Sequence, residues 1–292
     1  MDEKISKVEI ELLSAAIDRI VMQEVLEDEL LGTLPKVDEL NDSNKIYRGK
    51  VSVLFVDMRE STKLPEKYSA EQLVKVYRSY IRVVVQAIRY SGGIVRDFMG
   101  DGVLALFIDD TDGTSEDKAV HAARYITTVI DKFLNPVLDQ KMKHRISCGI
   151  GIHTGEISLS KVGMRGKEQN ENSENEFGIA WIGNSTNLAC KQSSAVECGT
   201  TFISTSTYAA LSDVNKSEKW KQVEISKGTN ILKGYIAEQY YLLLDEECEP
   251  CIAKSCVNTK NTTDIFDEKI EEITQRAEAL GLKQQKLDEK AQ

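Results

Sequence analysis

The sequence has no long hydrophobic run. Its longest apolar stretches, VSVLFV (51–56) and VLALFI (103–108), are far too short to cross a bilayer, so no membrane-spanning helix is expected. Nor is positive charge in excess: 37 Lys and Arg stand against 47 Asp and Glu, a formal charge of −10. That balance argues against a non-specific hold on nucleic acid through phosphate contacts, and leaves room only for a local basic patch that binds a nucleotide. The N-terminus, MDEKISKVEI, is charged from its second residue. It shows no secretory signal, and a cytoplasmic location is expected. Histidine is scarce: the three residues, His121, His144 and His153, all lie far upstream of CEPCIAKSC (248–256). That stretch contains C-x-x-C, so Cys248, Cys251 and Cys256 read either as a zinc site lacking a fourth ligand or as chance clustering in a loop. In a long chain of this kind, six cysteines read as free thiols rather than a disulfide framework.

What is present is an ordinary globular composition, 41% hydrophobic and 29% charged over 292 residues. Ile10, Leu13, Ile17 and Ile20 recur at three- and four-residue steps, which predicts a helix over 1–31. GTLPKVDELNDSN (32–44) reads as a linker. VSVLFVDM (51–58) is apolar at nearly every position, as a strand covered on both faces is. Leu73, Tyr77, Tyr80, Val84 and Ile88 predict a helix over 69–90, stopped by SGG (91–93). IVRDF and VLALFI, joined by MGDG (99–102), read as a hairpin. A further helix is expected over 115–134. RISCGIGI and EISLSKV, flanking HTG (153–155), read as a second hairpin. The polar stretch 163–178 reads as an insertion, followed by a short strand IAWIG and a helix in NSTNLACKQSSAV (184–196). TFIST, WKQVEIS and QYYLLL supply later strands.

This order predicts an α+β domain over 46–246, a mostly antiparallel sheet covered by helices. An N-terminal helix and linker (1–45) precede it, and a helical extension (247–292) follows. In that extension Phe266, Ile270, Ile273, Ala277 and Leu280 form a heptad seam, which suits either a solvated helix packed on its own domain or a dimer-linking helix.

Two carboxylates carry the chemistry. Asp57 ends an apolar strand, and Asp101 sits in a hairpin turn where Gly100 and Gly102 allow a tight reversal. A half-buried carboxylate is costly unless it is hydrogen-bonded, paired or bound to a cation. If the two strands are neighbours, both side chains reach one spot. They then make a hard oxygen site suited to Mg²⁺ or Mn²⁺ with nucleotide phosphates. The plainer reading is that Asp101 is a turn former, since Asp-Gly favours turns.

VSVLFVDMREST, GGIVRDFMGDGVLALF, GIGIHTGEI, IGNSTNLACK and LKGY occur in the order found in class III nucleotidyl cyclases, and the chain resembles that family over about 50–245. The resemblance implies a ferredoxin-like α+β domain that works as a head-to-tail homodimer with active sites at the interface. It implies a nucleoside triphosphate substrate and two divalent cations, Mn²⁺ or Mg²⁺. Asp57 and Asp101 match the metal-binding aspartates, and the Met58 carbonyl matches a further ligand. Asn187 and Lys191 match the asparagine and arginine that the partner subunit contributes. The implied reaction is attack of the ribose 3′-hydroxyl on the α-phosphate, expelling pyrophosphate.

Departures from the family pattern are informative. Lys191 keeps the positive charge but loses the bidentate fork of arginine. Glu60 replaces a glycine in the phosphate-binding stretch, where the backbone amides of Ser61 and Thr62 are expected. An acid there is unfavourable unless its side chain turns away. Asp97 stands where purine-specific members place lysine, and Ala180 where they place aspartate or threonine. GIVRDFMGDG joined to AWIGNSTNLACK resembles the bacterial pyrimidine-cyclase branch, which makes cyclic CMP or cyclic UMP in antiphage signalling (the Pycsar systems), a product that acts on a separate effector protein. Trp181 is then expected to close the pocket around a single ring, or else to be a core residue. Arg96 is expected to donate to a base carbonyl, or else to form a structural ion pair. Asp97 is expected to accept from the N3 or N4 edge. Strict alternation puts Arg96 and Asp97 on opposite faces, so one of them reaches the base. The rival readings are an adenylate or guanylate cyclase, and a catalytically silent nucleotide-binding or dimerisation module.

Overall fold

The computed structural model describes residues 4–30, 32–164, 176–227 and 230–244. Most of the polar insertion, the C-x-x-C stretch and the heptad seam lie outside the described residues.

Helix α1 (Lys7–Met22) opens on a capping box in which Ser6 and Glu9 satisfy each other's backbone N–H groups. It covers the periodic residues but is shorter than the helix expected over 1–31. Asn44 Nδ2 donates to the carbonyls of Ile20 (2.5 Å) and Gln23 (3.0 Å) and so closes the helix end. The chain then forms a strand the sequence did not announce. Strand β1 (Leu26–Glu29) lies parallel to the start of β2 (Lys45–Met58), with ion pairs Lys45–Asp28 at 2.8 Å and Arg48–Glu27 at 3.0 Å. The N-terminal region is therefore not only helix and linker.

Helix α2 (Ala70–Tyr90) also starts at a capping box, Ser69 with Gln72, and buries Val76, Tyr80, Val84, Ala87 and Ile88. Strands β3 (Ile94–Met99) and β4 (Gly102–Phe107) form the expected hairpin. Helix α3 (Ser115–Val129) continues through a π-turn at Ile130–Leu134 into α4 (Asn135–Met142). Pro136 has no N–H to return to Lys132, so regular α-helical bonding cannot run through this point.

Strand β5 (Cys148–Met164) corrects the second hairpin, because it runs straight through HTG. Residues 148–159 pair antiparallel with 47–58 of β2 without a break, and a turn at 153–155 would forfeit those ladder bonds. Strand β6 (Glu176–Ile182), helix α5 (Ser185–Ala195), strand β7 (Thr200–Ser204), helix α6 (Thr205–Ala210) and strands β8 (Lys221–Lys227) and β9 (Asn230–Glu238) follow. QYYLLL is not a strand. Gln239 takes a left-handed φ of 46°, and the chain leaves the sheet to pin itself on α3 through Leu242 N–H to Thr128 Oγ1 (2.9 Å).

The sheet order is β3-β4-β2-β5-β7-β9-β8, with β1 beside β2 and β6 beside β5. Its β2-α2-β3-β4-α3-β5 part has the ferredoxin-like βαββαβ arrangement, with antiparallel neighbours in the order β5-β2-β4-β3. Among the described residues only β1–β2 and β5–β7 pair in parallel. Leu54, Val56, Val103, Phe107, Ile150 and Ile152 meet α2 and α3 on one face. Val51, Val53, Phe55, Leu104 and Leu106 meet Ala189 of α5 and Leu34 of the linker on the other. Both faces are covered, which is why 51–56 is apolar almost throughout, and each such large side chain contributes about 1.5–3 kcal/mol.

Candidate active site

The two aspartates meet because of strand register. Val56 of β2 pairs with Val103 of β4, so the end of β2 lies beside the β3–β4 turn. Asp101 Oδ2 accepts from Met58 N–H at 3.1 Å. Gly100 makes the turn with φ 67°, whereas Gly102 serves packing: a Cβ there would sit 2.6 Å from the Phe55 ring. The Asp57 carboxyl is within hydrogen-bonding reach of Asp101. Its pKa is pushed up to about 6 by burial and by the Asp101 charge, against the pull of Arg59. Two carboxylates drawn this close call for a shared proton or a cation. Among the described residues no three His, Cys, Asp or Glu side chains gather as a metal site. The two carboxylates are hard oxygen donors and fit a divalent cation that completes its shell with backbone, water or phosphate oxygens.

Arg59 is the neighbour that sequence reasoning missed. Its Nη1 lies 3.8 Å from Asp57 Oδ2, and its Nη2 donates to the carbonyls of Ser193 and Val196 (3.1 Å for the latter) at the end of α5. The guanidinium lies against Gly149, where any Cβ would overlap it. The only local signal was an arginine directly after the VDM strand end.

Glu60 takes a left-handed φ of 57°, a conformation that suits glycine better. Its side chain does turn away, to Lys63 Nζ at 2.7 Å. Ser61 and Thr62 begin the 3₁₀ turn Ser61–Glu66 that follows.

Asn187 and Lys191 lie one turn apart on α5, the first exposed and the second half-buried. Among the described residues no hydrogen bond or ion pair joins either to Asp57 or Asp101. Between them, the half-buried Cys190 thiol is pushed up to about 11, by burial and then by the Asp57 charge.

Arg96 and Asp97 break the alternation. A β-bulge lies between Val95, which pairs with Ala105, and Asp97, which pairs with Leu104. Leu104 belongs to the face that meets α5, so Asp97 shares it. Arg96 reaches that same face: its Nη2 donates to Leu34 O at 2.9 Å, and its guanidinium lies 5.8 Å from the centre of the Trp181 ring. No salt bridge to Arg96 forms among the described residues; burial lowers its pKa, and the Glu39 charge acts against that. Trp181 is half-buried over the same apolar cluster. Ala180 precedes it on β6, opposite Ser160. Asp97 is exposed and accepts from Phe98 N–H at 2.8 Å.

The family model described as the adenylate and guanylate cyclase catalytic domain matches residues 44–244. A uridylate cyclase of Xanthomonas perforans is 28% identical over 175 residues, which cover 59% of this chain and 70% of that protein. An adenylate cyclase of Anabaena cylindrica is 32% identical over 39% of this chain and 23% of its own length. A cytidylate cyclase of Escherichia coli is 30% identical over 44% and 29%. The chain thus spans under a third of the latter two relatives. The crystal structure of the guanylyl cyclase Cya2 is similar with a TM-score of 0.51 at 26% identity, over 65% of this chain and 93% of that one. Among the described residues no helix is long and apolar enough to cross a membrane. The match spans β2 to β9 and both aspartates: the chain belongs to the adenylate and guanylate cyclase catalytic domain family and is a class III nucleotidyl cyclase.

Proposed function

We propose that this cyclase acts on a pyrimidine nucleoside triphosphate, converting UTP or CTP to the 3′,5′-cyclic monophosphate with release of pyrophosphate. The observation that carries the reading is the shared face of Arg96, Asp97 and Trp181, with Ala180 beside it, in place of the purine-reading pair. Arg96 already donates to a carbonyl oxygen, that of Leu34, which is the kind of bond a base O2 or O4 would accept. Trp181 supplies a ring face for a single-ring base. The uridylate and cytidylate cyclases among the relatives support the same reading.

Asp57, Asp101 and the Met58 carbonyl hold two divalent cations, Mn²⁺ or Mg²⁺. When bound, these lower the pKa of the ribose 3′-hydroxyl and neutralise phosphate charge. The Ser61 and Thr62 amides donate to the phosphates. The active unit is a homodimer, and Asn187 and Lys191 come from the second protomer. Asn187 orients the ribose, and Lys191 places its charge where negative charge builds on the α-phosphate and leaving group. In antiphage defence in the cytoplasm, the cyclic nucleotide signals to a separate effector. Purified protein with Mn²⁺ and each of the four nucleoside triphosphates tests the substrate. Pyrophosphate release with UTP or CTP is expected, and a preference for ATP or GTP would overturn the pyrimidine reading while leaving the cyclase.

A further inference from the structure

Helix α5 carries Asn187 and Lys191, and its C-terminal end is short of positive charge. The last carbonyls of a helix have no partner within it, and a basic side chain in the last turn commonly answers them. Helix α5 has no basic residue in its last turn, and its C-cap, Val196, is extended rather than left-handed. The helix is seated closely all the same. A Cβ at Gly151 of β5 would overlap the Ala189 carbonyl, and Ser193 Oγ donates to Gly149 O at 2.8 Å. The missing cation comes from the end of β2. Arg59 crosses Gly149 and donates through Nη2 to the carbonyls of Ser193 and Val196.

The same guanidinium faces Asp57, with Nη1 3.8 Å from Oδ2. This is the only ion pair that Asp57 or Asp101 makes among the described residues. One charge therefore has two attractors, a carboxylate of the candidate metal pair and the open end of a helix. The Arg59 side chain is mostly buried, so its charge is poorly screened and opposes any other cation at Asp57. With the Asp57 charge taken up by a divalent cation, the guanidinium is left with the α5 carbonyls.

We propose that Arg59 is a positioning residue that links cation loading at Asp57 to the placement of Asn187 and Lys191 on α5. This linkage rests on the metal and homodimer reading above, under which Asp57 serves one active site and α5 of the same protomer serves the other. Arg59 then joins the two sites of the dimer.

Calorimetric titration of the full chain with Mn²⁺, without nucleotide, tests the Asp57 side. Arg59→Gln should tighten binding at least about threefold by removing a competing charge. Arg59→Lys keeps the charge and loses the fork, and should bind within about twofold of wild type. Amide hydrogen exchange tests the helix side: Mn²⁺ should slow exchange in α5 of the wild type at least about threefold, and should not slow it in Arg59→Gln. Turnover tests the joining of sites. In the mixed dimer of Asp57→Asn with Asn187→Ala protein, one site is intact. Arg59→Gln in the protomer that supplies Asn187 should lower kcat at least about tenfold and leave the Mn²⁺ half-saturation unchanged. In the protomer that supplies Asp57 it should lower the Mn²⁺ half-saturation concentration instead, a split that a merely structural arginine would not produce. Unchanged or weaker Mn²⁺ binding in Arg59→Gln overturns the linkage, as does wild-type α5 exchange that ignores Mn²⁺. The exchange measurement on wild type decides even if Arg59→Gln does not fold. Mn²⁺ binding that is absent, or that survives Asp57→Asn, removes the metal reading and the linkage with it. A mixed dimer without turnover refutes the shared sites alone, and titration and exchange still decide the linkage within one protomer.

Discussion

Gly149→Ala is the substitution whose effect follows most directly from the structure. The added Cβ would overlap the Arg59 guanidinium, which is held between the end of β2 and the end of α5. The guanidinium has to leave, and two hydrogen bonds to the carbonyls of Ser193 and Val196 go with it. Hydrogen bonds from a charged donor contribute about 1.5–3 kcal/mol each, and water recovers part of that because the Arg59 side chain keeps 16% exposure. A net loss of about 3 kcal/mol is expected, which in a domain of this size lowers Tm by about 6–12 °C. Thermal melts followed by circular dichroism read the shift. Gly178→Ala is the control: nothing lies within 4 Å of its added Cβ, so its effect should stay within about 0.5 kcal/mol. The decisive step is a double-mutant cycle. In an Arg59→Ala background the space is already clear, so Gly149→Ala should cost less than about 1 kcal/mol. The reasoning fails if Gly149→Ala melts with the wild type, or if it costs the same in both backgrounds.

Other expectations follow from the same geometry. Asp57→Asn should lower Mn²⁺-dependent turnover about a thousandfold, equivalent to about 4 kcal/mol of barrier. It should also abolish the Mn²⁺-induced rise in Tm without lowering the metal-free Tm, because it relieves repulsion with Asp101; retained turnover would remove Asp57 from the metal site. Mixing Asp57→Asn protein with Asn187→Ala protein should restore about a quarter of wild-type turnover, since half the dimers carry one intact site; no recovery after subunit exchange would place Asn187 in its own protomer's site. His121, His144 and His153 all have pKa values lowered by burial. Their contribution to stability is complete above the unfolded histidine pKa of about 6.5 and is lost as pH falls through the lower folded values. Urea unfolding should therefore show stability declining below about pH 6.5, with a shallower slope in His153→Gln; equal slopes would contradict the shift assigned to His153.

Much of the fold was legible because it is local. The all-apolar 51–58 stretch, the periodic face of 69–90 and the Gly-Asp-Gly hairpin each carry their structure within a few residues. The misreadings came where a partner decides. HTG looks like a turn, yet β2 holds it in a ladder on one side throughout. Residues 26–29 look like the end of a helix, yet the start of β2 offers them a parallel edge and two ion pairs. QYYLLL has strand composition, but the sheet position belongs to 230–238 and the segment is held by α3 instead.

The site divides the same way. Asp57 and Asp101 could be found in the sequence because each is a charge at the end of an apolar run, and buried charge needs a reason. Arg59 could not be found so, because what holds it is a missing side chain at Gly149 and two carbonyls at the end of α5. Alternation likewise holds only while two strands stay in step. Between Val95 and Asp97 they do not, and that single extra residue brings Arg96 and Asp97 to one face. A regular β3 would have left one of them on the α2 side of the sheet, with one polar group beside Trp181. The bulge puts both a donor and an acceptor on that face of the strand. On the pyrimidine reading proposed above, a base edge that presents both a carbonyl and an N–H would meet the donor and the acceptor that a regular strand keeps apart.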